Sequence, residues 1–586
     1  MSARELITEH LDLWTGAVTQ KSTRGRGRSG KVELTGIKKL RELILDLALR
    51  GKLTEQLTSD GSTQALLQHL EDKKQKLETK GTIKTNSNIP SIDEHPFAIP
   101  PNWAWVRLGH IGLVGSSRRV RQRDWQNHGI PFYRAREIVK LSQNGDVDNE
   151  LFISRNLYDE LAKNGQVPET NDLMVTGVGT IGVPYIVKPS DQFYFKDASV
   201  LIFKNLFGIC PQFLYNFCHS PFWTRTIHAD SMGTTVHTLT IVRANLAPVP
   251  LPPLDEQYRI VQKVDELMAL CDRLEQQTSD QLEAHETLVD TLLGTLTQSK
   301  NATELADNWA RLATHFDTLF TTEQSIDKLK QTILQLAVMG RLVEQGAGYT
   351  PPSALLEKIS SERLELAESG KIKLSSRHAA LTSQEPAPFA IRTSWHWTHL
   401  ESLFAVVTDG DHQAPPKSEQ GIPFLVIGNL NAGEINFTSC KYVSEDYFDN
   451  LDWSRKPTKG DLLYTVTGSY GIPIKVDTDR AFCVQRHVAI LKATDSTPRD
   501  FIKLLLASEY GLSYADNVAT GIAQKTVPLS GLRKMPVPLP PVQEQHRIVQ
   551  KVDELMALCD QLKERLNQAG ETRCQLAEAV VDEALN

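Results

Sequence analysis

Long hydrophobic runs, paired cysteines and a strong charge excess are what this chain most plainly lacks. No apolar stretch approaches the roughly 18 to 20 residues needed to cross a bilayer. The start, Met1-Ser-Ala-Arg-Glu-Leu-Ile-Thr-Glu-His10, has no signal-like apolar core. A cytoplasmic protein without membrane contact is therefore expected. The seven cysteines, Cys210, Cys218, Cys271, Cys440, Cys483, Cys559 and Cys574, form no Cys-x-x-Cys pair and no zinc spacing with histidine. Reduced thiols are expected, and no metal site. A net charge of −7 argues against a chain that binds polyanions along its whole length. Catalytic signatures are missing too. There is no Asn-Pro-Pro-Tyr/Phe segment of the kind that holds a flipped adenine. Gly25 to Lys31 fits Gly-x-x-x-x-Gly-Lys, but Val32 follows where Ser or Thr is required and no apolar strand leads in, so it is not a nucleotide loop.

What the chain does contain is one sentence written twice. Pro250-Leu-Pro-Pro-Leu-Asp-Glu-Gln-Tyr-Arg-Ile-Val-Gln-Lys-Val-Asp-Glu-Leu-Met-Ala-Leu-Cys-Asp-Arg-Leu274 returns as Pro538 to Leu562, identical at 21 of 25 positions and displaced by 288 residues. Shorter matches extend it. Ile37 to Gln56 answers to Ile326 to Gln345, Trp103-Ala-Trp to Trp395-His-Trp, and Asp172 to Pro184 to Asp461 to Pro473. At 586 residues, about four domains are expected. The repeat arranges them as two copies of one plan with approximate twofold symmetry, each reading helix, helix, globular module, long helix.

Ile260, Val264, Leu267, Cys271 and Leu274 are spaced 4, 3, 4, 3, as are Ile548, Val552, Leu555, Cys559, Leu562 and Leu566, which is a coiled-coil seam. The Pro-Leu-Pro-Pro before each copy cannot lie inside a helix and marks its start. From Asp255 to about Gln298 the first long helix would run about 65 Å. Ile37, Leu40, Ile44, Leu47 and Ile326, Leu329, Ile333, Leu336 form matching stripes, with Gly51 and Gly340 as stops. Between the helices, runs such as Leu173-Met-Val-Thr, Val200-Leu-Ile-Phe203, Leu462-Leu-Tyr-Thr-Val466 and Val488-Ala-Ile-Leu491 alternate with Gly, Asn and Asp turns, the texture of α+β modules. The expected layout is a helical region over 1–96, with a basic flexible arm at about 20–33 and helices at about 36–52 and 63–80. A first module over 97–252, a helical spacer over 253–388, a second module over 389–540 and a coiled-coil helix over 541–586 follow. Outside the matched landmarks the modules are nearly unrelated, so recognition belongs to them and the frame to the repeat.

The doubled Pro-Leu-Pro-Pro-x-x-Glu-Gln-x-Arg-Ile-Val segment, followed by Val-Asp-Glu-Leu-Met-Ala-Leu-Cys-Asp, resembles the specificity subunit of type I restriction-modification enzymes. Leu336-Ala-Val-Met-Gly-Arg-Leu-Val343 and Glu5 to Trp14 resemble its longer members. The resemblance implies a fold class of α+β: two α/β target recognition domains held apart by long antiparallel coiled-coil helices. It implies a non-catalytic chain that binds double-stranded DNA, each module reading half of a split site with an unread gap. It also implies docking of two methyltransferase subunits and of restriction subunits, with S-adenosylmethionine, ATP and magnesium on those partners and no cofactor on this chain. A self-contained methyltransferase or nuclease, and a coiled-coil scaffold that never touches DNA, are the rival readings.

Phosphate contacts anchor a DNA reader and base-edge contacts specify, so Arg, Lys, Asn, Gln, Ser and Thr on exposed loops are the candidates. The first module holds Arg118, Arg119, Arg121 and Arg123, then Tyr133, Arg134 and Arg136. That is six arginines within 19 residues, with only Asp124 opposing them; a solvated surface is the plain alternative. At the matching place in the second module stand Asp411, His412, Gln413 and Lys417, where a simple turn is the alternative. The glycine turns contribute Thr176 and Thr180, and Ser469 and Tyr470, where backbone can approach a phosphate closely. Thr235 and His237, Asn429, Gln485, Arg486, His487, Gln524 and Lys525 complete the set.

Overall fold

The computed structural model describes residues 9–20, 32–81, 83, 89–164, 167–229, 238–344, 346, 348–373, 387–411, 418–430, 433–521 and 524–585. The heart of the basic arm, residues 21–31, lies outside them. Helices α1 (Thr35–Leu49) and α2 (Thr63–Thr79) precede the first module, which contains α3 (Ala135–Asn144). Helix α4 (Leu254–Gln298) follows it, α5 (Glu323–Val338) and α6 (Pro352–Glu368) lead into the second module, and α7 (Val542–Leu585) comes after it. Both α1 and α5 end where expected. Gly51 and Gly340 take left-handed φ values of 65° and 70°, and the next backbone N–H, of Lys52 and Arg341, reaches back to Leu47 and Leu336. A Cβ on Gly51 would sit 2.3 Å from Pro100 Cγ, so this glycine serves close packing as well as the turn.

The described chain divides into two units. One comprises 32–279 with the described ends 9–20 and 570–585; the other comprises 280–569. Each therefore takes the first part of one long helix and the last part of the other. In the first unit Ile260, Val264, Leu267 and Cys271 of α4 share a core with Ile37, Leu40, Ile44 and Leu47 of α1 and with Ala577 of α7. In the second, Ile548, Val552 and Cys559 of α7 share one with Ile326, Leu329, Ile333 and Leu336 of α5 and with Val289, Leu293 and Leu296 of α4. Of the expected seam positions these are buried, while Leu274, Leu555, Leu562 and Leu566 are half-buried against the same cores. Lys52 Nζ donates to the carbonyls of Ala584 and Leu585 at 3.1 and 3.3 Å, and Arg341 to those of Thr297 and Ser299, both at 2.8 Å. A cation thus closes the C-terminus of each long helix, where unpaired carbonyls and the negative dipole end lie.

Among the described residues the first module contains nine strands: β1 (Ala104–Arg107), β2 (Leu113–Ser116), β3 (Ile130–Tyr133), β4 (Phe152–Ile153), β5 (Leu173–Thr176), β6 (Pro184–Ile186), β7 (Tyr194–Phe195), β8 (Val200–Lys204) and β9 (Pro248–Leu251). They form an antiparallel sheet in the order β2-β8-β5-β6, a mixed sheet β4-β3-β7 and a pair β1-β9. The second repeats this plan with β10 (His396–His399), β11 (Val406–Asp409), β12 (Ile422–Leu425), β13 (Lys441–Val443), β14 (Leu462–Thr465), β15 (Pro473–Lys475), β16 (Cys483–Val484), β17 (Val488–Lys492) and β18 (Pro536–Leu539). Its sheets are β11-β17-β14-β15, β13-β12-β16 and β10-β18. The register matches as well: Val200 pairs with Thr176, and Val488 with Thr465.

Two buried polar devices explain why the repeat conserves polar letters. Lys204 reaches Asp172 at 2.7 Å, and Lys492 reaches Asp461 at 2.6 Å, pinning β8 to the start of β5 and β17 to that of β14. The Glu-Gln of the repeated sentence fastens each module to its long helix. Glu256 accepts from Trp103 Nε1 at 2.9 Å and Gln56 Nε2 at 2.6 Å, while Gln257 accepts from Cys210 N at 3.0 Å and donates to Pro252 O at 2.9 Å. In the other unit Glu544 takes Arg392 at 3.0 Å, and Gln545 donates to Pro540 O at 2.8 Å. These are charges and amides buried with partners, the only affordable way to bury them.

Candidate nucleic-acid interface

The same glycine turn stands after β5 and β14. Thr176 and Thr465, both buried, donate to Thr180 O (2.5 Å) and Ser469 O (2.8 Å) and accept from Val183 N (2.9 Å) and Ile472 N (3.0 Å). Gly179 and Gly468 take φ 71° and 70°, and Gly182 and Gly471 take 82° and 86°. A hidden hydroxyl thus braces a loop whose tip, Gly179-Thr180 or Gly468-Ser469, is presented outward. Thr176 is accordingly corrected from a contact to the brace.

In the first module that turn faces the start of α3. Arg134, Arg136, Lys140, Val178, Gly179, Thr180, Lys196 and Ser199 line one cleft of about 590 Å³. The backbone N–H and guanidinium of Arg134 bond Glu137 at 2.9 to 3.1 Å, and Arg136 Nε bonds it at 2.5 Å. Burial works to raise the Glu137 pKa, but the hydrogen bonds from the two arginines outweigh it and hold the carboxylate below its usual range. Arg136 also meets Glu150 at 2.5 Å, with Arg134 3.7 Å from the same carboxylate. The expectation that only Asp124 opposes the arginines is therefore corrected. Glu137 lies one residue past the run, and Glu150 arrives through the fold. Arg118, Arg119, Arg121 and Arg123 are exposed, Arg123 being 3.7 Å from Asp124. Tyr133 is half-buried on β3, its ring 4.8 Å from that of Phe193.

In the second module the braced turn meets two other segments. Gly468 N donates to Lys525 O, Thr467 bridges to Thr526, and Val466 N donates to His487 O. Asp411 bridges to Gln485, and its carboxylate accepts from Arg455 (2.7 Å) and Tyr447 Oη (2.8 Å). The structure thus assembles Ser469, Gln485, Arg486, His487, Gln524, Lys525 and Asp411. Burial, and then the Arg486 charge, lowers the His487 pKa from its ordinary value. Two candidates face inward. Asn429 is buried, its Oδ1 accepting from Val426 N at 3.0 Å, the capping bond that Glu137 makes in the first module. Tyr470 is buried, its hydroxyl donating to Asp516 at 2.6 Å. Thr235, His237, His412, Gln413 and Lys417 lie outside the described residues. Lys196 was missed, yet the repeat could have found it. Its N–H bonds Tyr133 O as that of Gln485 bonds Leu425 O, so it is the counterpart of a residue already selected. Among the described residues no cluster of His, Cys, Asp and Glu is placed to hold a metal ion, and no helix is long and apolar enough to cross a membrane.

The family profile described as the type I restriction modification DNA specificity domain matches residues 100–284 and 410–571. The type I restriction enzyme EcoAI specificity subunit of Escherichia coli is 33% identical over 617 aligned residues, covering all of both chains. The EcoEI specificity subunit, also of Escherichia coli, is 32% identical over 618. A solved type I R-M structure aligns with 84% of this chain and 99% of its own at 20% identity, with a TM-score of 0.43, too low to add weight. A double match to the family profile and full-length identity above 30% leave one conclusion: the chain belongs to the DNA-recognising, non-catalytic specificity subunits of type I restriction-modification systems.

Proposed function

We propose that each module reads one half of a bipartite DNA site, and that the helical frame fixes the unread gap and docks two methyltransferase subunits, which restriction subunits then join. S-adenosylmethionine, ATP and magnesium belong to those partners in this reading. The observation that carries it is one braced turn on one sheet plan, made twice and surrounded by different side chains. In the first module arginine and lysine flank the turn; in the second, Arg486 and Lys525 are joined there by Gln485, Gln524, His487 and Asp411. Arginine pairs naturally with guanine, and amide side chains with adenine, so unlike half-sites are expected. Selecting bound duplexes from a random library with the full chain tests this. Two conserved blocks of different composition, separated by a gap of fixed length, are expected; a single continuous block would contradict it.

A further inference from the structure

The two arginines that line the first module's cleft pair with two carboxylates, Glu137 and Glu150, which differ in exposure and in anchoring. The Glu137 side chain is 3% exposed, sits in the first turn of α3, bonds the Arg134 backbone as well as both guanidiniums, and has nowhere to go. The Glu150 side chain is 71% exposed, lies outside any helix or strand, and meets Arg136 and Arg134 through its carboxylate. Removing Glu137 from the arginines would strand a buried charge, whereas removing Glu150 returns an exposed carboxylate to water at small cost. Lys196 and the open Gly179-Thr180 tip line the same cleft.

We propose that Glu137 is a fixed positioning residue for an arginine pair that binds DNA acceptors, and that Glu150 is an exchangeable counter-ion holding their place until DNA displaces it. This rests on the reading of the module as a DNA reader and goes beyond it. The ligand chemistry is a pair of acceptor atoms matching a guanidinium edge, which the guanine O6/N7 edge and the phosphodiester oxygens both offer. With Glu150 in place, every DNA that engages the arginines must first displace a carboxylate at the same cost, and only a well-aligned site recovers that cost in full through paired contacts to the guanidiniums. At the corresponding positions of the second module the capping residue is the neutral Asn429, and Gly428 stands beside it in place of an arginine.

Fluorescence anisotropy of the full chain against a random-sequence duplex pool tests the proposal. Glu150→Gln is expected to tighten binding about fivefold or more at low salt, with the gain shrinking as salt rises. Asp148→Asn, the same charge change two residues away, should produce little of this gain. Glu137→Gln should weaken binding. A pool carrying 7-deazaguanine separates the sources: a gain lost there assigns guanine N7, and a gain kept assigns phosphate. DNA binding with equal gains for Glu150→Gln and Asp148→Asn, or with none for Glu150→Gln, overturns the counter-ion. A chain that binds no duplex at all overturns the DNA-reading assignment as well. Because Glu150 is on the surface, its variant tests the idea even if Glu137→Gln misfolds.

Discussion

Asp461 and Lys492 illustrate how much of each module rests on single buried polar residues. Removing one partner of such a pair leaves a bare charge in the core, so Asp461→Ala should cost about 3–5 kcal/mol in chemical denaturation. An exposed pair such as Lys459 with Asp479 should contribute under about 1 kcal/mol by the same measurement. Glu137 adds a pH signature. Its pKa is lowered in the folded state, so the stability it contributes is present above the ordinary glutamate range and is lost as pH falls through its folded value. The stability gap between wild type and Glu137→Gln should therefore be largest near neutrality and close in acid, as thermal melts across pH would show. Side-chain type alone misled at this scale. Thr176, Asn429 and Tyr470 are polar letters beside promising turns, but composition does not say which way a hydroxyl or amide points. All three point inward and hold the surfaces on which other residues stand.

The elements themselves were far more legible. The 4, 3, 4, 3 spacing and the Pro-Leu-Pro-Pro start place the first long helix at about Asp255 to Gln298; it spans Leu254–Gln298. Gly51 and Gly340 end their helices as the sequence suggests, because the left-handed turn they adopt is one that side chains resist. The three-stranded sheets were not legible, since strands of two to four residues such as β4 and β7 are shorter than any periodicity can register. Nor was the sharing of each long helix between two cores, which depends on contacts hundreds of residues apart. A consequence at this scale concerns the helix ends. Lys52→Ala should fray the last turn of α7, and Arg341→Ala that of α4. Each should cost about 0.3–1 kcal/mol and appear in hydrogen exchange as lost protection confined to that turn.

At the scale of the whole molecule, duplication divides the labour. The letters that repeat are seams, clamps and braces: Cys271 and Cys559, Gln257 and Gln545, Thr176 and Thr465, Lys204 and Lys492. The letters that differ line the cleft and the loops around the braced turns, where a base edge or phosphate would be met. Exchanging residues 97–252 for the corresponding module of a relative, then selecting bound duplexes with the complete chimaera, is the most direct measurement of this division. Replacement of one half of the recognised site, with the other half and the gap length unchanged, is the predicted result. A chimaera that alters both halves, or neither, would contradict the account.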